Sequence, residues 1–162
     1  MSVTLDIQQP QPFDLVGSEI LIAGNATAFE GSLSVRVTEG HDAYSGALTV
    51  GALGLRQFQG SITIPENNAF KLTRVFVSLA DDGATLDGPS VLIPVLFGPL
   101  ILPGYRGWQP YKVQSDDTLT SIAQDQYGDS DFQPILQANQ HVVTDANLIF
   151  PGQVLRIPRN DI

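Results

Sequence analysis

The spacing of apolar residues changes period once along this chain, and that change constrains the fold more than any other feature. Up to about residue 100, apolar positions recur every second residue. Leu33, Val35 and Val37 alternate with Ser34, Arg36 and Thr38, the pattern of a strand with one buried face. Residues 3–9, 19–23, 33–38, 47–50, 58–64, 71–79 and 91–97 read as seven short β-rich runs. Turn-forming residues punctuate the gaps, as in Glu66-Asn67-Asn68 and Asp81-Asp82-Gly83. Such a series predicts an antiparallel immunoglobulin-like β-sandwich. Pro94, inside the last run, predicts an edge strand or a bulge there.

After residue 110 the period becomes about 3.6. Leu119, Ile122, Ala123 and Tyr127 fall on one helical face. Asp116, Asp117 and Thr118 precede them as N-cap candidates, and Gly128 follows as a stop. A second helix is predicted to start near 129–131 and to bury Phe132, Ile135, Leu136 and Ala138. Pro134 is tolerated in its first turn and Asn139 closes it. Val113 before the helices, and Val154, Leu155 and Ile157 after them, read as strands. Two strands alone are marginal, so they are expected to pair antiparallel beneath the helices.

The fold class is therefore two domains, an all-β immunoglobulin-like sandwich followed by a small α+β (βααβ) domain. The expected boundaries are 1–100 for the sandwich, 101–108 for a Pro/Gly-rich linker and 109–159 for the second domain. The seam, Gly98-Pro-Leu-Ile-Leu-Pro-Gly-Tyr-Arg-Gly-Trp-Gln-Pro110, has the composition of a short semi-rigid connection. Its apolar Leu100, Ile101, Leu102 and Trp108 are expected to pack between the domains. The other reading leaves Trp108 exposed for binding.

Composition removes several function classes. With 17 acidic and 8 basic residues the net charge is -9, which argues against nucleic acid as the main partner and against an anionic membrane surface. Cysteine is absent, so disulfides, thiol nucleophiles and Cys-ligated zinc are impossible. The two histidines, His41 and His141, lie too far apart in sequence to suggest a His-rich metal site, and no cofactor is expected. The longest charge-free stretch, Gly88 to Tyr105, contains four prolines and reads against a spanning helix. Asp6, Asp14 and Glu19 come before any Lys or Arg, unlike a secretion signal. The expectation is a cytoplasmic protein, alone or within an assembled particle, or an envelope protein if a signal was removed.

The second domain carries a specific pattern: Tyr111-Lys-Val113, Asp117-Thr118-Leu119, Ile122-Ala123, Tyr127-Gly128, Ile135, Asn139, Pro151-Gly152-Gln153, Leu155 and Ile157-Pro158. It resembles the lysin motif (LysM) over about 48 residues. The resemblance implies a βααβ fold and binding of N-acetylglucosamine-containing glycans, chiefly peptidoglycan or chitin. It also implies a groove between the loop after the first strand and the loop before the last. Here those loops are Asp116, Asp117, Thr118 and Leu119, and Asn147, Leu148, Ile149 and Phe150. Asp117 and Leu119 read as structural before ligand contact; Ile149 and Phe150 read as contacts. Asp116 stands where the family has glycine, adding bulk and charge beside the groove. The stretches around Tyr127-Gly128-Asp129 and 149–158 are similar to LysM domains of phage-tail or injection-particle baseplates. That subtype implies a protein-docking module among particle subunits.

Ile7-Gln-Gln-Pro10, Pro12, Val16, Ile22-Ala-Gly-Asn-Ala26, Phe29-Glu30-Gly31, Leu33 and Val35-Arg36-Val37 are similar to the immunoglobulin-like domain of bacterial spore germination proteins. This implies a spacing or interaction sandwich with no catalytic residues to transfer. No Glu follows Glu66, so the sugar-binding part offers only aspartates, and capping or turn chemistry accounts for Asp116-Asp117 and Asp81-Asp82. Neither histidine lies in a nucleophile motif. The chain is expected to be a non-catalytic binder of peptidoglycan or a related glycan, or else a structural subunit docking other proteins.

Overall fold

The computed structural model describes residues 4–28, 30–51, 54–81 and 90–162. Val3, Phe29 and the expected turn at Asp82-Gly83 lie outside the described residues. The chain divides into two compact units, Met1–Leu96 and Phe97–Ile162. Among the described residues, no helix is long and apolar enough to cross a membrane.

The first unit is an immunoglobulin-like sandwich of two sheets. One contains β1 (Leu5–Gln9), β3 (Glu19–Ala26) and β6 (Arg56–Thr63), in the order β1-β3-β6. The other contains β2 (Leu15–Val16), β4 (Ser32–Thr38), β5 (Ala43–Thr49), β7 (Arg74–Asp81) and β8 (Ser90–Phe97), in the order β2-β8-β7-β4-β5. The alternation does what its period requires. Leu33, Val35 and Val37 of β4 are buried, as are Val75, Val77 and Leu79 of β7 and Ile20 and Ile22 of β3. Burying a side chain of this size contributes roughly 1.5–3 kcal/mol.

All seven expected runs overlap strands, with informative differences at their ends. β5 begins at Ala43, four residues early, because it is an edge strand whose mostly exposed side chains give no alternation to read. β7 begins at Arg74 rather than 71. The N–H groups of Lys71 and Leu72 donate instead to the Glu39 carboxylate, both at 2.6 Å. Those two bonds hold the carboxyl of Glu39 below its usual range. Pro94 sits opposite Phe76, with only two-residue β2 beyond β8. Its carbonyl accepts from Phe13 N–H at 2.7 Å. The N and O of one antiparallel residue point the same way, so the missing donor faces the side of β2, and the ladder to β7 loses nothing.

The second unit is α1 (Gly98–Ile101), β9 (Gly107–Lys112), α2 (Leu119–Tyr127), α3 (Gln133–Ala138) and β10 (Val154–Arg159). β9 and β10 pair antiparallel, Leu155 opposite Tyr111. The buried cluster is Val113, Leu119, Ile122, Ala123, Ile135, Val143, Leu155 and Ile157. The stretch read as a linker is structured from its first residue. Ile101 closes α1 and is buried. Leu102 N–H donates to the Gly98 carbonyl at 2.9 Å, and Tyr105 N–H to that of Leu102 at 3.0 Å. The Tyr105 ring occupies the space a Cβ at Gly98 would need, so a glycine there permits close packing. Trp108 stays 42% exposed, with the Arg156 guanidinium 5.5 Å from its ring centre.

Candidate functional site

Two loops of the second unit meet at a cleft of ≈ 140 Å³. Asp117, Thr118, Leu119 and Thr120 form one wall, and Ala146, Asn147 and Ile149 form the other, with Phe132 between them. Asp116, Leu148 and Phe150 do not line it. Leu148 and Phe150 stand beside it in the same loop, 57% and 62% exposed.

Each wall is built by local chemistry. Asp116 turns the chain through the left-handed region at φ 70°, where glycine is at home and Asp is among the few tolerated alternatives. Asp117 then points inward. Its Oδ2 accepts from the Gln114 N–H at 2.7 Å and the Tyr111 hydroxyl at 2.8 Å, tying the loop to β9. The hydrogen bond to that carboxylate raises the Tyr111 pKa. Of the three N-cap candidates, Thr118 does the capping. Its Oγ1 accepts from Ser121 N–H, while Ser121 Oγ accepts from Thr118 N–H, both 3.0 Å. The cap satisfies orphan amides at the start of α2 and leaves Leu119 to the core.

The opposite wall is set by two turns. Asp145 accepts the Asn147 N–H on Oδ1 at 2.9 Å and the Leu148 N–H on its carbonyl at 3.0 Å, an Asx-type turn. After Phe150, the order Pro151-Gly152 with Gly152 at φ 89° is the pairing of a type II turn. Gln153 N–H closes it on the Phe150 carbonyl at 3.0 Å. Gly152 N–H and Val113 C=O join at 2.7 Å, and Val113 N–H donates to Gln153 C=O at 2.8 Å. The same turn thus fastens the second wall to the strand that leads into the first.

Behind the cleft, Asn139 acts at longer range than helix termination. Its Nδ2 donates to the carbonyls of Ile135 (2.7 Å) and Arg156 (2.8 Å), and its Oδ1 accepts from Arg156 N–H at 2.8 Å. A buried amide so satisfied pins α3 to β10. α3 starts at Gln133, later than the predicted 129–131, because Asp129 and Asp131 spend their carboxylates on turns ahead of it. Phe132 is therefore the N-cap residue, half-buried, and faces the cleft.

Sequence reasoning had missed Phe132, Thr120 and Ala146 as lining residues. None of the three carried a local signal, since Phe132 also fits the helical period. A larger hollow of ≈ 260 Å³ lies by Tyr127 and Arg159. Its Arg159 is paired with Asp161 at 2.7 Å. Burial there pushes the Tyr127 hydroxyl up to about 12. Among the described residues, no group of three or more His, Cys, Asp or Glu gathers to hold a metal ion. His41 lies exposed in the first unit and His141 half-buried in the second.

Comparison with known proteins matches each unit to a family. The LysM domain profile covers residues 111–158. The profile of the immunoglobulin-like domain of bacterial spore germination covers residues 4–84. The potassium binding protein Kbp of Escherichia coli O6:H1 is 43% identical over 51 residues, which are 31% of this chain and 34% of that protein. The chain thus spans about a third of that relative. The crystal structure of an engineered protein aligns with 59% of this chain and 20% of its own, at 16% identity and a TM-score of 0.41.

Proposed function

The chain belongs to the family of the immunoglobulin-like domain of bacterial spore germination and carries a LysM domain after it, and from this we propose that it is a non-catalytic peptidoglycan-binding protein. The cleft between the two loops takes an N-acetylglucosamine-containing strand, and the sandwich serves interaction. Both domains are binding modules. The observation that carries the reading is the convergence of the Asp117–Thr120 and Ala146–Ile149 walls on one cleft, with Leu148 and Phe150 exposed at its side. Sugar faces pack on apolar side chains, and N-acetyl groups take backbone donors and acceptors beside a small apolar pocket. Ile149 and Phe132 supply that pocket; Thr118 and Asn147 supply polar groups. The potassium in the name of the Escherichia coli relative is not carried over, since the shared segment is a minor part of that protein.

The test is co-sedimentation with insoluble peptidoglycan, comparing wild type with a Leu148/Ile149/Phe150 triple alanine variant checked for folding by circular dichroism. Sedimentation by wild type, lost in the variant, is the expected result. Folded wild type that stays in the supernatant sinks the glycan reading. It would favour the second one, a subunit of a phage-tail-like contractile particle that docks protein through this domain. The Asp116 carboxylate beside the cleft, where the family has glycine, supports that second reading.

A further inference from the structure

The surroundings of the cleft carry one sign of charge. Between Lys112 and Arg156 the sequence has six aspartates and neither Lys nor Arg. Three chain segments line the cleft, beginning at Asp117, Phe132 and Ala146. An exposed aspartate immediately precedes each: Asp116, Asp131 and Asp145. Among the described residues, none of these three or Asp117 belongs to an ion pair. The donors to their carboxylates are backbone amides and one phenol, neutral groups that leave the charge in place. The acids are spread over three segments. Among the described residues, no group of three or more gathers to hold a metal ion, so what they make is a negative field around the cleft.

Asp116 differs from the other three. Asp117, Asp131 and Asp145 spend carboxylate oxygens on building the loops, accepting from Gln114 N–H and the Tyr111 hydroxyl, from Gln133 N–H and from Asn147 N–H. Asp116 serves the loop through its backbone, which turns at φ 70°. Among the described residues, no hydrogen bond of the loop ends on its exposed carboxylate. Glycine or asparagine would turn the chain there as well, so the turn does not account for the charge.

We propose, resting on the glycan reading of the cleft, that it selects glycan segments free of carboxylates, and that Asp116 is the residue that sets this preference. Peptidoglycan is not uniform in charge. Its N-acetylated sugars are neutral, while the peptide stems attached to them end in carboxylates. A stem carboxylate beside a bound sugar meets four like charges with no cation among them to offset the repulsion. Charges placed this way act against one ligand rather than for another. Segments whose stems have been removed or amidated escape the penalty. Such repulsion reaches about 10 Å at 0.1 M salt and about 3 Å at 1 M, which gives it a salt signature that selection by shape lacks.

The test sediments the full chain with two forms of one polymer: intact peptidoglycan, and the same preparation with its carboxylates converted to primary amides. At low salt, wild type is expected to bind the amidated form about 10-fold tighter, equivalent to about 1.4 kcal/mol. The difference is expected to close at about 1 M salt. Asp116→Asn keeps a side chain that tolerates the left-handed turn. It is expected to strengthen binding to intact peptidoglycan several-fold and to leave binding to the amidated form unchanged. Asp116→Gly replaces it if the Asn variant does not fold, with the same result expected. Glu66→Gln removes an exposed carboxylate from the sandwich and is expected to change neither. Equal binding of wild type to both forms, a preference that persists at high salt, or an equal gain from Glu66→Gln would each overturn the charge filter and leave the glycan cleft standing. Folded wild type retained by neither form at any salt would overturn both.

Discussion

The two units meet the same problem, burying enough surface in few residues, with different means. The sandwich stacks a five-stranded on a three-stranded sheet, and its centre is branched aliphatic side chains placed by alternation. The LysM unit has two strands and short helices around one cluster of eight buried apolar residues, a thin core for an autonomous domain. It compensates with hydrogen bonds made by its side chains. Asn139 holds β10, Asp117 holds β9 through Tyr111, Thr118 caps α2, and the Tyr127 hydroxyl donates to the Pro158 carbonyl at 3.0 Å. Where apolar area is short, position is set by directional bonds. These stabilise most when no partner group is left buried and unpaired.

The sharpest way to break this comparison is Asn139→Ala. It removes three hydrogen bonds and strands the N–H and C=O of Arg156, at a cost of about 2–4 kcal/mol. Urea unfolding followed at Trp108 should move to much lower denaturant, while amide exchange in β4 and β7 stays protected. If both units lose protection together, they are not the separate cooperative bodies the comparison requires. Thr118→Ala comes next, costing about 1 kcal/mol through the lost cap, and Thr118→Asn should restore most of it.

Asp116→Gly tests whether the departure from the family pattern costs stability. Relief of the left-handed strain, about 1–2 kcal/mol at most, is offset by the greater freedom of glycine in the unfolded chain, about 0.5–1 kcal/mol. A net gain on the order of 0.5 kcal/mol is expected. Peptidoglycan sedimentation should rise in the same variant if the carboxylate disfavours the glycan. An unchanged sedimented fraction would assign Asp116 to the turn alone.

The units should also differ in pH response. Two backbone donors lower the pKa of Glu39, so its contribution to the sandwich is whole above the ordinary carboxylate value of about 4.5 and is lost as pH falls through its folded value. Glu39→Gln should flatten the acid limb of sandwich unfolding. In the LysM unit, burial pushes Tyr105 and Tyr127 up to about 12, and Asp117 raises Tyr111. The protonated phenols are favoured on folding, so this contribution is whole below about pH 10 and is lost as pH rises towards 12. Asp161 is also lowered by Arg159, but an exposed pair adds little in acid. Denaturant midpoints of the two units at pH 3, 8 and 11 would measure the contrast.

Most of the architecture could be read from periodicity, because burial on one face imposes a period of two on strands and 3.6 on helices. The LysM resemblance also pointed to the two loops, 116–119 and 147–150. Less could be read at α3. Phe132 packs against the core as its period predicts, but Asp129 and Asp131 delay the helix and the ring also lines the cleft. Thr120 and Ala146 line the cleft only because two loops remote in sequence converge.

Legible in advance was what short-range chemistry can enforce: strand and helix periods, a capped helix start within 116–118, the charge balance and the family pattern. Only the tertiary structure decided which side chains act across distance. Asn139 ends α3 as its position predicts, and its side chain also bridges to β10. Arg156 and Trp108, far apart in the chain, came to stack on one sheet face. The physical reason is that a hydrogen bond or a stacked ring depends on the position of its partner, and chain folding alone supplies that position.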